Sequence, residues 1–156
     1  MRRIFDLIIS STAFEVFQLV LSENNQSNDE SIGQLKMEVM KCLIYISIGA
    51  KYLVSARGLQ SNYSKHKSQL QLAQPISQAT LTRDNELGNR LLMKLNDTNL
   101  VAIIHAHTKS NFFEVVDMSL ILLGSFLRNE TDITGQITNI FLDVVSFQSM
   151  YEIIAN

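Results

Sequence analysis

Apolar residues recur at steps of three and four over most of the chain. Between Leu35 and Ala50, the residues Val39, Leu43, Ile46 and Ala50 fall at i, i+4, i+7 and i+11, the spacing that a 3.6-residue period gathers onto one helical face. The same steps return between Phe112 and Leu127 at Val116, Leu120, Leu123 and Leu127. Ser110 or Asn111 is placed to cap that helix, with Glu114 in its first turn, where the positive end of the dipole favours a carboxylate. Residues 2–10 and 12–22 read as two helices or one, since Ser10, Ser11 and Thr12 offer a cap but also tolerate continuation. Further helices are predicted over 50–72, over 84–95, over 98–108 with Asp97 or Thr98 as cap, and over 134–154. Two polar stretches, near 23–34 and near 69–83, are expected to be loops; the second is glutamine-rich around Pro75. The runs Ile44–Ile48 and Leu100–Ile104 have strand-like composition, but both sit inside longer windows of helical period.

Composition agrees with a helical reading. One proline and six glycines in 156 residues argue against many tight turns and short strands. A chain that is 46% hydrophobic and 18% charged has too much apolar surface to stay disordered. At this length one core accommodates the whole chain, so residues 1–156 are expected to form a single all-α domain of about six to eight helices.

Two segments resemble one another. Glu38 to Ile48 can be laid on Val115 to Ser125, 77 positions later, matching a small residue (Cys42 or Ser119), four apolar positions and a second small residue (Ser47 or Gly124). Each is preceded by an apolar helix and a polar link. The pattern resembles the third helix of an armadillo repeat, over Ala13–Leu53 and Thr98–Asn156, with the separation corresponding to about two repeats of the armadillo or HEAT kind. The resemblance implies a right-handed stack of helices that binds other proteins; the alternative is an irregular helical bundle. Where peptide-binding armadillo repeats carry Trp and Asn on the groove-lining helix, this chain has Ile44 and Ile48 in one segment and Ile121 and Ser125 in the other. The family's way of clamping an extended peptide is therefore not carried over.

Charge and chemistry narrow the field further. Residues 1–78 carry a net +2 and residues 79–156 a net −4, with no basic run dense enough to hold nucleic acid through its phosphates. The single Cys42 cannot form an intrachain disulfide, which points to a reducing, intracellular setting, and its place in an apolar pattern predicts a buried thiol. The N-terminal arginines and apolar residues imitate a signal peptide, but Asp6 interrupts the apolar run; no segment is long enough for a membrane span.

His105 and His107, two apart on a helix, point about 200° from each other and cannot share a metal ion. Asp117 and Asp143 interrupt apolar helices and are expected on narrow solvent faces. No phosphate loop, dinucleotide fingerprint, nucleophile elbow or zinc-protease motif occurs. The sequence thus predicts no enzyme, cofactor or metal site. It predicts a protein-interaction module, a scaffold or adaptor, whose apolar helix faces meet another protein or a second copy, with Phe112, Phe113, Phe147 and Tyr151 as candidate contact aromatics. A compact, chaperone-like helical dimer is the alternative, and an enzyme with a dispersed site the third possibility.

Overall fold

The computed structural model describes residues 2–23, 30–65, 78–129 and 131–144, with side chains for all of these except 55–65, 78, 81, 141, 143 and 144. These residues form seven α-helices and no strand: α1 (Arg2–Ser10), α2 (Ala13–Ser22), α3 (Glu30–Lys65), α4 (Gln78–Leu95), α5 (Thr98–His107), α6 (Phe113–Arg128) and α7 (Gln136–Val144).

Local chemistry sets the breaks. Ser10 donates its hydroxyl to the Asp6 carbonyl at 2.7 Å, and the Ser11 hydroxyl accepts from the Ala13 amide at 3.3 Å. Side-chain competition for backbone partners ends α1 there, and α2 departs at 68°. The Asp97 carboxylate accepts from the Asn99 and Leu100 amides and caps α5, one of the two caps anticipated. Asp132 does the same for α7, accepting from the Ile137 and Thr138 amides, after a turn in which Gly135 takes a φ of +72°. For α6 the expected cap is displaced: Phe112 holds the cap position without a side-chain bond, and Ser110 instead accepts from the Phe112 amide at 3.3 Å.

Both polar loops are shorter than expected. Glu30 to Gln34 open α3 and Gln78 to Arg83 open α4, because a helix whose apolar face is anchored elsewhere carries a polar turn on its end at little cost. Residues 50–65, read as a separate helix, continue α3 without interruption, making it 36 residues long.

The predicted stripe of α3 is the core. Val39, Leu43, Ile46 and Ala50 are all buried, together with Met40 and Leu53. Cys42 is exposed, contrary to expectation; it stands about 100° around the helix from Leu43, off the buried face. In α6 the buried residues are Val115, Ser119, Leu122, Leu123, Ser125 and Phe126; of the predicted stripe Leu123 is buried while Val116, Leu120 and Leu127 are only partly so, and the buried face centres one position earlier. The helix is apolar on most sides, so spacing alone is satisfied by either stripe. Ser119 tolerates burial because its hydroxyl bonds the Val116 carbonyl at 2.8 Å.

The helices pack like against like. In the two successive trios α1–α2–α3 and α4–α5–α6, α1 contacts α4, α2 contacts α5 and α3 contacts α6, while α3 also packs along α4 and α6 along α7. Most polar bridges repeat the pattern: Arg2 pairs with Asp84 and Arg83 with Asp6, Gln18 bonds Asp97 and Asn99, and Asn129 bonds Ser47, while Lys94 with Glu15 ties α4 to α2 instead. Across these bonds, and those of Lys51 with the Arg128 carbonyl and His107 with the Leu21 carbonyl, the partners lie 77 to 86 positions apart. The three helices α1 to α3, of which α3 alone takes 36 residues, fall within that separation.

Where α1 crosses α3, Gly49 lies under the Phe5 ring, which occupies the space a Cβ would need. Gly49→Ala is expected to cost about 1–3 kcal/mol by overpacking, and Phe5→Leu in the same chain is expected to recover part of it. Urea unfolding of the single and double variants measures both.

Candidate functional site

A 3.6-residue helix with one buried stripe should present polar residues opposite it. In α3 that side carries Tyr45, Ile48 and Tyr52 at i, i+3 and i+7, exposed by 71%, 49% and 65%. Cys42 flanks them. On the neighbouring α6, Ile121 is likewise exposed. α3 therefore carries an exposed apolar, tyrosine-bearing stripe. On the same side of α3, one to two turns before Tyr45, stands the Glu38–Lys41 ion pair at 2.6 Å. Tyrosines suit such a face, since each offers a large rigid ring and a hydroxyl that stays wet.

The aromatic candidates separate. Phe113 stands 77% exposed at the start of α6 and is available for contact. Phe112, next to it, is partly buried against the core and works as packing instead; adjacent helix-entry residues point to different sides. Phe147 and Tyr151 lie outside the described residues. The sequence reading did not single out Tyr45 and Tyr52, and it named Ile48 and Ile121 only as occupants of the helix that lines the groove in armadillo repeats. The signal was present in α3: a second apolar stripe opposite one that already accounts for the core.

The chemistry-bearing residues are dispersed. Asp117 is on the solvent face, as expected, and Asp143 lies in α7 with its side chain outside those described. Among the described residues no three His, Cys, Asp or Glu side chains come close enough to hold a metal ion. No single described helix is long and apolar enough to cross a membrane; only the bent α1–α2 pair has the length and composition together.

His105 is half-buried, whereas His107 is buried and aims into the structure. Its Nε2 lies 2.7 Å from the Leu21 carbonyl, and the buried Lys36 ammonium donates to the Glu23 carbonyl at 2.6 Å. Side chains from α5 and α3 thus satisfy carbonyls at the C-terminal end of α2. Burial pushes the His107 imidazole below its ordinary range, opposed by the bond to Leu21 and assisted by the Lys36 charge. Burial likewise lowers the Lys36 ammonium, against the attraction of Glu23.

The folded chain accordingly holds His107 neutral where the unfolded chain protonates. Stability is full above the unfolded value of about 6.5 and falls as pH drops below it toward the folded value, by up to about 1.4 kcal/mol per pH unit. Thermal unfolding between pH 7.5 and 5 is expected to decline more steeply for the parent chain than for His107→Gln; parallel declines would overturn the assignment.

No protein-family model, curated protein or solved structure matches this chain.

Proposed function

We propose that this chain is a non-enzymatic protein-interaction module, two armadillo/HEAT-like three-helix units in a right-handed stack, serving as an intracellular scaffold or adaptor. The observation that carries the reading is the exposed apolar stripe on α3, with Tyr45, Ile48 and Tyr52 outward. Like-with-like packing of the two trios supports the stack over an irregular bundle. A free, exposed Cys42 suits a reducing compartment.

In this mechanism the partner lays an apolar helix face or extended segment along the tyrosine stripe, and burial of ring area supplies the affinity. The Glu38–Lys41 pair at one end of the stripe orients it.

A photoreactive p-benzoylphenylalanine placed at Tyr45 or Tyr52 tests the face in an extract of the native cell. The expected result is a discrete protein adduct from both positions and none from the same probe at Asn89, an exposed position on α4. Tyr45→Glu should abolish the adduct formed from Tyr52 while leaving thermal unfolding unchanged. Equal labelling from all three positions, or none, would overturn the proposed face.

A further inference from the structure

We infer that His107 is an acid-sensitive catch that fastens the C-terminal end of α2 to α5, so that proton uptake by its ring opens this end before the chain as a whole unfolds. The inference stands apart from the interaction face on α3.

A backbone carbonyl only accepts, so the 2.7 Å contact between His107 Nε2 and the Leu21 carbonyl fixes the proton on Nε2. Nδ1 is left as a bare acceptor, buried and without a hydrogen-bond partner among the described residues. A second proton has to enter there. It would create a charged N–H in a buried place where no group receives it. The residues on either side are buried as well: Leu21 is 1% exposed and Lys36 2%.

The charges around the ring do not compensate. On α2, Glu15 is taken by Lys94 and Glu23 is exposed. On α6, Glu114, Asp117 and Arg128 are exposed, and the side chain of Asp143 on α7 lies outside those described. Helix α5 and its ends carry Asp97, His105 and Lys109, of which Asp97 and Lys109 are exposed. From α3, the Lys36 ammonium bonds the Glu23 carbonyl at 2.6 Å and is the charge that acts on the ring, with the same sign as an imidazolium.

The opening is local because α2 is fastened to α5 at two places. Gln18 bonds Asp97 and Asn99 at the start of α5, with no imidazole involved, and His107 bonds Leu21 at its end. A proton favours every state in which the ring reaches water. Of these, the one that lifts only the last turn of α2, which ends at Ser22, breaks the fewest contacts and opens first. A ring in water titrates near 6.5 and the closed ring below that. Between pH 7.5 and 5.5 the opening constant therefore rises by up to about tenfold.

Amide hydrogen exchange of the full chain tests this at pH 7.5 and 5.5, corrected for intrinsic rates and repeated at several urea concentrations below the unfolding transition. The expected result at Leu21 and Ser22 is a loss of protection of about five- to tenfold at the lower pH, with little dependence on urea. Leu91 and Leu92 of α4 should show the steep urea dependence of whole-chain unfolding. His107→Gln, whose side-chain amide still donates to the Leu21 carbonyl, should protect Leu21 and Ser22 equally at both pH values. The inference is overturned if these two amides share the steep urea dependence of α4, if their protection does not change with pH, or if the change persists in His107→Gln. Should that variant not fold, the ring carbon shifts of His107 in the parent decide: they must titrate with the same midpoint as the exchange, and a different midpoint overturns the catch.

Discussion

Phe126→Ala is expected to lower the unfolding free energy by about 3–5 kcal/mol, a fall of about 10–15 °C in Tm for a chain of this size. Phe126 is wholly buried in α6, in the stripe with Val115, Ser119 and Leu122. Truncation removes the transfer free energy of the ring and leaves a void that its helical neighbours cannot close. The comparison that gives the result meaning is Leu127→Ala. Leu127 belongs to the stripe that apolar spacing alone selects, yet it is only partly buried, so its truncation should cost less than half as much. Chemical denaturation of both variants decides which stripe faces the core, and equal losses would mean that α6 is rotated from the position described.

Asn96→Leu should be the most damaging polar substitution, at about 2–3 kcal/mol, although leucine is close in size and the site is apolar in part. Asn96 is 5% exposed and donates its side-chain amide to the Leu92 carbonyl at 2.8 Å and to the Thr131 carbonyl at 2.6 Å. The Leu92 carbonyl keeps the Asn96 backbone amide as a partner and the Thr131 carbonyl keeps the Ile133 amide, so the cost is that of the side-chain bonds themselves, two donated by Asn96 and one accepted from the Thr134 hydroxyl, at about 1 kcal/mol each. Thr131 in turn bonds Ser47 of α3 and the Phe126 carbonyl, so the loss should also loosen the turn leading into α7. Hydrogen exchange at Ile137 and Thr138 measures that loosening. Unchanged protection there, with stability within about 0.5 kcal/mol of the parent, would contradict the network.

Much of the helical layout was legible. The core stripe of α3 stood in the sequence because its opposite flank is interrupted by Glu38 and Lys41, so one face alone is continuously apolar across the first turns. Asp97 was legible as a cap because a carboxylate just before a helix has few other local tasks. The stripe of α6 was not, since a helix apolar on most sides satisfies the spacing rule in more than one rotation. Nor was the setting of Cys42, whose neighbours Leu43 and Ile44 are apolar but whose own direction depends on where α4 and α6 lie.

The candidate face shows the same division. Tyr45, Ile48 and Tyr52 were visible as residues and as a spacing, but their exposure depends on which sides of α3 the helices α2, α4 and α6 cover. Phe112 and Phe113 are neighbours of one kind, and packing alone made the first a core residue and the second a surface one.

By itself the sequence determined that this chain is helical, that its apolar area exceeds what loops can hold, and where most helices break. These follow from periodicity and from local competition for backbone hydrogen bonds, both properties of neighbouring residues. Tertiary structure decided which stripe of each helix is inside and that trio lies against trio, with bonded partners 77 to 86 positions apart. Those outcomes depend on residues far apart in the chain, because a helix with two apolar sides is told which one to bury only by the helix that arrives to cover it.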